Sequence, residues 1–271
     1  MEFIPDCIFA RNSWMGCYFS EYSPAYVVAT EDVRQSVGQF MPKNCNRVLT
    51  VAASGDHPLF CSLYGAKYVD TFDISYNAKC IMDIKTAALQ CLDYSEYLNL
   101  LDELAECYDI TNVSNIGKIS KIIPDIEWAY LRSMKGLPVF SHGYWSGKDD
   151  PYLLNEQEYN KLREIVKKPY SFEMGDICCL KNRLTESYDF IHISNILDYI
   201  IKPEQQFKIL SFLLKHLNVG GRIVLEQIMV SPWSEPPFSN RMKINKLFGG
   251  VFKKSNFIKG PECVCMFERV R

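Results

Sequence analysis

Arg47–Ser75 reads RVLTVAASGDHPLFCSLYGAKYVDTFDIS, and two short β-branched runs within it decide the architecture. RVLTVAA (Arg47–Ala53) has the apolar, β-branched character of a buried strand. SGDHP (Ser54–Pro58) breaks it, LFCSLYGA (Leu59–Ala66) continues with helical spacing to a glycine, and KYVDTFDI (Lys67–Ile74) is a second strand. In a parallel sheet of such units, ligands bind at the carboxyl ends of the strands. A glycine after the first strand lets the backbone approach the ligand, and an acid ending the second can hydrogen-bond both ribose hydroxyls. Gly55 holds the first place and Asp73 the second. The turn has one glycine and not GxGxxG, so a dinucleotide pyrophosphate lacks its usual cradle, whereas a nucleoside without phosphates needs less from this loop. A plainer reading fits the same residues: Gly55 turns the chain and Asp73 caps a helix.

Working outward, strands and helices alternate on both sides of a helical interruption. YNAKCIMDIKTAALQCLDY (Tyr76–Tyr94) is a strong amphipathic helix. Residues 95–170 read as several helices (SEYLNLLDELAECY, DIEWAYLRSM, NEQEYNKLREIVKK) joined by loops such as SHGYWSGKDDP (Ser141–Pro151). Alternation resumes with SFEMGDI (Ser171–Ile177), YDFIHISNI (Tyr188–Ile196), a helix over Pro203–Asn218, a glycine turn and RIVLEQIMV (Arg222–Val230). NFIKGPECVCMFERVR closes the chain as a hairpin of strands. The expected fold is α/β: a Rossmann-like, doubly wound, mainly parallel sheet with a C-terminal antiparallel strand and a helical insert. Residues 47–94 and 171–271 would form the core, 95–170 the insert or cap, and 1–46 an N-terminal helical arm. Its helix is expected from Thr30, with Thr30 as N-cap and Glu31 and Asp32 in the favourable first turn.

Composition narrows the function. The 271 residues are 48% hydrophobic and 23% charged, which suits a packed globular protein. Thirty basic and 32 acidic residues leave a net charge of −2, so no bulk field points to nucleic acid or an anionic membrane. Arg241–Lys259 spreads its cations among apolar residues and reads as a solvated surface. The opening MEFIPDCIFARNSW lacks a basic region followed by an apolar run, so no signal peptide is expected, and no segment approaches the roughly 20 apolar residues of a spanning helix. Eleven dispersed cysteines without a CxxC pair read as reduced, buried thiols of a cytoplasmic protein. His57, His142, His192 and His216 are scattered without ligand spacing, so no metal is expected.

Two further strand ends carry polar groups toward the same cleft. Asp176, in MGDI (Met174–Ile177), could accept a hydrogen bond from an adenine amino group. HISNILDYI (His192–Ile200) presents Ser194 and Asn195, then Asp198 and Tyr199. An exposed helix start is the alternative for Asp198.

The order SGD, FDI, GDI, SNILDY, NVGGRIVL resembles the class I S-adenosylmethionine-dependent methyltransferase fold. More narrowly, LTVAASGD, LYGAKYVDTFDIS, AKCIMDIKTAAL, LDYSEYL and ISNILD are similar to the family of the betaine-lipid S-adenosylmethionine:diacylglycerol 3-amino-3-carboxypropyltransferase. The likeness covers Arg47–Tyr97 and Tyr170–Val230; the arm and the helical middle match loosely. Strand 2 departs from it, ending Asp-Ile-Ser-Tyr where that family more often has Asn. This chain is also shorter than the lipid enzyme, so the diacylglycerol acceptor does not carry over.

The resemblance implies S-adenosylmethionine as co-substrate, no metal, and a small-molecule or lipid-like acceptor. Ser54, Gly55 and Asp56 would contact the methionine and ribose end. Asp73 and its neighbour Ile74 would hold the ribose, Asp176 and Ile177 the adenine, and Ser194 and Asn195 the floor beside the sulfonium. Asp198 is the first choice for a base and Tyr199 for an orienting group. His142, Tyr144 and Trp145 are lid candidates against an ordinary polar loop, and Thr30, Glu31 and Asp32 could close the site. Tyr94, Tyr97, Tyr108, Trp128 and Tyr130 could form an apolar acceptor pocket, although core packing accounts for them more simply. Transfer of the 3-amino-3-carboxypropyl arm is the leading expectation. Methyl transfer to O or N of a small molecule is the first alternative, and a non-catalytic nucleoside- or partner-binding protein the second.

Overall fold

The computed structural model describes residues 20–141, 152–180, 183–200, 203–227, 252–258 and 263–271. The chain runs through β1 (Ala25–Tyr26), α1 (Val33–Phe40), β2 (Arg47–Val51), α2 (Asp56–Leu63), β3 (Tyr68–Asp73) and α3 (Tyr76–Cys91). A helical stretch follows: α4 (Tyr94–Ala105), α5 (Ile116–Ile119), α6 (Asp125–Ser133), the short β4 (Phe140–Ser141) and α7 (Glu156–Ile165). The alternation then resumes with β5 (Ser171–Met174), β6 (Tyr188–His192), α8 (Pro203–Lys215), β7 (Leu217–Gln227), β8 (Phe252–Ile258) and β9 (Cys263–Arg269).

Seven strands form one sheet in the order β5-β3-β2-β6-β7-β9-β8. The first five are mutually parallel, β9 is antiparallel to β7, and β8 is antiparallel to β9. The α/β fold with a parallel sheet and a terminal antiparallel hairpin is therefore the one the sequence predicts. From β2 the chain builds outward to β3 and β5, then returns to lay β6 on the other side of β2. That reversal puts a topological switch point between β2 and β6, where open α/β sheets bind ligands.

The central strand shows why these residues form a sheet. Val48, Leu49, Thr50 and Val51 are all buried, as a strand covered on both faces requires. Alternate side chains enter opposite layers: Val48 joins the core with α1–α4 and α7, while Leu49 and Val51 join the core under α8. The segment 95–170 packs into the first of these cores through Leu100, Leu104, Leu131, Tyr159 and Leu162. Tyr97 stacks on Tyr159 at 4.8 Å, and Tyr130 meets Tyr76 edge-on at 4.8 Å. Tyr94 donates to Leu154 O, Trp128 packs against the core and Tyr108 is exposed. These contacts place the aromatics in packing and at the surface.

Several boundaries differ from the sequence reading. Asp32, not Thr30, caps α1, its side chain accepting Gln35 N–H; the Thr30 hydroxyl donates to Glu31 instead. Helix α2 starts at Asp56, directly on Gly55, and carries Pro58 in its first turn, where no helical donor is lost. Gly220 and Gly221, read as a turn, lie within β7, beside a register irregularity between Tyr188 and Phe190.

Gly55 is fixed by two constraints. Its φ is +83°, and a Cβ there would lie 3.0 Å from Met82 Cα of α3. Beside it, the buried Asp56 carboxylate accepts from Lys85 Nζ at 2.6 Å, Ser54 Oγ at 2.8 Å and Ala29 N at 2.8 Å. Lys85 is wholly buried in α3, and burial lowers its pKa against the pull of Asp56. Removing one partner of such a pair leaves an uncompensated buried charge. Lys85→Met is therefore expected to cost about 3–5 kcal/mol in urea unfolding, and Gly55→Ala about 1–2 kcal/mol from the left-handed backbone before any clash is counted.

Candidate functional site

At the carboxyl ends of β2, β3, β5 and β6 the described residues line an open cavity. The parallel registers, with Val51 beside Phe72 and Asp73 beside Met174, bring the strand ends into one row. After β2 come Ala53 and Ser54; at the end of β3, Asp73, Ile74 and Ser75; after β5, Gly175, Asp176 and Ile177; after β6, Ser194, Asn195, Ile196 and Tyr199. Ala53 and Ser194, on adjacent strand ends, both adopt positive φ (45° and 49°), an uncommon conformation for non-glycine residues that concentrates at functional sites.

Asp73 is held by the chain it faces. Its Oδ2 accepts Ala53 N–H at 2.9 Å and its Oδ1 accepts Ser75 N–H at 2.9 Å. Burial pushes its carboxyl up, opposed by these backbone donors. Ser75, not Asp73, caps α3, accepting Asn77 N–H. Each carboxylate oxygen has a second lone pair, so the carboxylate can still accept from paired hydroxyls. Asp176 is fixed similarly, its Oδ1 accepting Cys178 N–H at 2.7 Å.

Of the residues expected to form the site, Ser54, Asp73, Ile74, Asp176, Ile177, Ser194, Asn195 and Tyr199 line this one cavity. Three do not. Gly55 is not in the lining, and its missing side chain makes room for Met82 of α3. Asp56 has its carboxylate committed to Lys85, Ser54 and Ala29 beneath the floor. Asp198 lies half-buried in the 3-10 turn Ile196–Tyr199 and is not among the residues that line the cavity. His142, Tyr144 and Trp145 lie outside the described residues.

The roof comes from the N-terminal segment. Ser23, Pro24, Ala25, Tyr26, Ala29, Thr30 and Glu31 line the cavity opposite the strand ends. Ser75 Oγ donates to Ser23 O at 2.6 Å, and Asn77 Nδ2 donates to Ser23 O at 3.1 Å. Ala25 and Val27 N–H reach Val139 O and Ser141 O as β1 pairs with β4. Ser23–Ala29 carries no motif, and nothing in its sequence points to the cavity.

Two histidines that look scattered in sequence meet in space. His57 and His192 rings lie 5.1 Å apart, both wholly buried. His57 Nε2 pairs with Glu31 Oε1 at 2.9 Å, and His192 Nε2 with Glu226 Oε1 at 3.0 Å, also contacting Ser36 Oγ. Ser194 Oγ and Thr30 Oγ1 donate to Glu31 as well. Burial opposes ionisation of Glu31, but His57 and the two hydroxyls outweigh it and hold the carboxyl at about 2. Burial likewise opposes protonation of His57, and Glu31 outweighs it, raising the imidazole above its ordinary 6.5. Among the described residues no group of three or more His, Cys, Asp or Glu could hold a metal ion, and no helix is long and apolar enough to cross a membrane. The eight cysteines whose side chains are described are free thiols.

No family model matches the sequence, and no curated protein does. Among solved structures the chain is similar to an rRNA methyltransferase, aviRa, from Streptomyces viridochromogenes (12% identity, 93% of this chain and 88% of that one, TM-score 0.46). It is also similar to a ribosomal protein L11 methylase from Lactobacillus delbrueckii subsp. bulgaricus (12%, 88% and 77%, TM-score 0.43). A third is the N-methyltransferase NodS from Bradyrhizobium japonicum WM9 in complex with S-adenosyl-L-homocysteine (11%, 88% and 83%, TM-score 0.42).

The Glu31–His57 pair sets a pH dependence whose sign follows from the two shifts. His57 titrates above its unfolded value, so its contribution is complete below pH 6.5 and is lost as pH rises through the folded value. Glu31 titrates below its unfolded 4.5, so its contribution is present above 4.5 and is lost as pH falls toward about 2. Urea unfolding of the wild type is thus expected to show stability falling as pH rises above 6.5, and His57→Gln a shallower fall.

Proposed function

We propose that this protein is an S-adenosylmethionine-dependent transferase. One observation carries the reading: the cavity lies at the switch point, Asp73, Asp176 and Glu31 line it, and no lysine or arginine does among the described residues. Phosphates bind where cations or clustered backbone donors collect. A cavity with three carboxylates, one imidazole and a single-glycine turn favours a cationic nucleoside over a dinucleotide. The nearest buried lysine, Lys85, is neutralised by Asp56 below the floor.

The chain's own groups then have defined tasks. Asp73 accepts the ribose hydroxyls, and Ala53 and Ser75 hold it in place for that task. Asp176, fixed by Cys178, and the apolar side chain of Ile177 receive the adenine. Ser194 and Asn195 form the floor next to the reacting carbon, and Tyr199 stands at the wall where an acceptor would enter. Bound there, S-adenosylmethionine supplies an electrophilic carbon on its sulfonium, either the methyl or the γ-carbon of the 3-amino-3-carboxypropyl arm. The carbon lying in line with the nucleophile at about 3–3.5 Å is the one transferred. The sequence resemblance supports transfer of the arm, and the net charge of −2 favours a small-molecule or lipid-like acceptor over nucleic acid, with the N-terminal arm and the segment 95–170 selecting it. Methyl transfer uses the same nucleoside site and is the competing outcome.

Calorimetry is expected to show saturable binding of S-adenosylmethionine and none of NAD or ATP. Asp73→Asn is expected to weaken S-adenosylmethionine by about tenfold or more, the loss of a charge-assisted hydrogen bond, and Asp198→Asn to leave it unchanged. Methylthioadenosine with a heavier acceptor marks arm transfer; S-adenosylhomocysteine with a methylated acceptor marks methyl transfer. No binding by the wild type, or full binding by Asp73→Asn, overturns the reading.

A further inference from the structure

Asn77, in the first turn of α3, does not line the cavity and takes no part in the nucleoside contacts just described, yet it is wholly buried. Ser75 Oγ already accepts its backbone N–H, so starting the helix does not require its side chain. That side chain is committed to two other parts of the molecule. Its Nδ2 donates to Tyr22 O at 3.2 Å and to Ser23 O at 3.1 Å in the N-terminal segment, and its Oδ1 accepts from the Tyr130 hydroxyl of α6 at 2.9 Å. The two carbonyls fix the orientation of the amide, because only its NH2 can donate to them, and the oxygen is thereby turned toward Tyr130. A buried amide satisfied on both sides specifies how the three segments it joins are arranged.

Each side of this joint is anchored. On the α6 side, Lys79 of α3 bridges Asp83 of its own helix at 2.5 Å and Glu127 of α6 at 2.7 Å, and the Tyr76 hydroxyl donates to Glu127 as well. Glu127 and Tyr130 are three residues apart and share one face of α6, where Tyr130 meets Tyr76 edge-on. On the cavity side, Ser75 Oγ donates to the same Ser23 O at 2.6 Å, while Ser75 N–H is held by Asp73. The residues beginning at this carbonyl, Ser23, Pro24, Ala25 and Tyr26, line the cavity. Their only regular structure is the two-residue β1, so their place depends on the groups that satisfy their backbone. Asn77 and Ser75 take the carbonyls of Tyr22 and Ser23, and the carbonyls of Val139 and Ser141 take the amides of Ala25 and Val27.

We infer that Asn77 is a positioning residue for the co-substrate, a joint through which α6 sets where the N-terminal roof lies over the strand ends. Tyr130 acts through it: the hydroxyl holds the amide, and the amide holds the two carbonyls. Among the described residues no member of the segment 95–170 lines the cavity. The segment reaches it through the roof, by Tyr130 and Asn77 at one end and by β4 at the other. The inference rests on the S-adenosylmethionine reading for its ligand measurement alone.

Calorimetry with S-adenosylmethionine and hydrogen exchange followed by NMR test the joint in Asn77→Ala, Tyr130→Phe and the double variant. Tyr159→Phe is the control, since it removes another buried hydroxyl of the same segment, one that donates to Ala88 O farther along α3 at 3.0 Å. Asn77→Ala is expected to weaken S-adenosylmethionine by about tenfold and Tyr130→Phe by about threefold. The double variant is expected to be no weaker than Asn77→Ala, because a residue that acts through another adds nothing once that other is gone. In the free protein, exchange of the Ala25 and Val27 amides is expected to quicken in both single variants. Those amides open locally, ahead of the core, so Tyr159→Phe leaves both their exchange and the affinity unchanged. Tyr130→Phe keeps the ring contact with Tyr76 and carries the test alone should Asn77→Ala fail to fold. Unchanged affinity or unchanged roof exchange in the variants, additive losses in the double variant, or an equal loss of affinity in Tyr159→Phe overturns the inference. Failure of the transferase reading is distinct: the wild type then binds no S-adenosylmethionine, and the exchange measurement still reports on the joint.

Discussion

The Asp56 carboxylate ties together three parts of the chain that the site requires in register. It accepts from Lys85 of α3, from the hydroxyl of Ser54 in the turn after β2, and from the backbone of Ala29 in the N-terminal segment. The first contact sets α3 against the turn, and the close approach of Gly55 to Met82 allows it. The last brings the N-terminal segment down over the strand ends. A buried pair of this kind adds little net stability over apolar packing, but losing one partner is severe, so its effect is to admit one arrangement. Asp73 on one side and Glu31 on the other take their places from it.

The cavity that results is lined by three carboxylates, mostly on segments that follow the strand ends or precede α1. Ala53 and Ser194 take left-handed backbone at adjacent strand termini, and both line the cavity. Below them lies a second buried pair, His192 with Glu226, whose rings and carboxylates continue the polar wall into the core. Polar groups at that depth are retained only where hydrogen bonds or charge partners satisfy them, and the pairing of each histidine with its own glutamate meets that condition for Nε2 in both. The α4–α7 stretch contributes to this arrangement indirectly, since β4 supplies the carbonyls that hold the N-terminal roof.

Asp73 and Asp176 were legible as cavity-lining residues because Asp73 ends β3 and Asp176 follows β5 by two residues, and a strand end in a parallel sheet has one direction to face. Ser194 and Asn195 were legible for the same reason. Asp56 was not, because its neighbour in space, Lys85, lies 29 residues away on another helix, and a carboxylate after a glycine turn looks the same whether it meets a ligand or a lysine. Asp198 looked like a base only by following the same strand end; the 3-10 turn carries Tyr199 to the cavity and leaves Asp198 off it.

The sequence by itself determined the alternation of strands and helices and the acids at the strand ends. Those depend on periodicity and on residues a few positions apart, which local physics governs. Only the tertiary structure decided that Ser23–Glu31 lines the cavity, that Gly55 packs against Met82 and Asp56 pairs with Lys85, and that His57 stands with Glu31 in the wall. Each of those depends on a contact between distant segments, and such contacts are selected by shape and charge in the folded state rather than by the propensities of either segment alone.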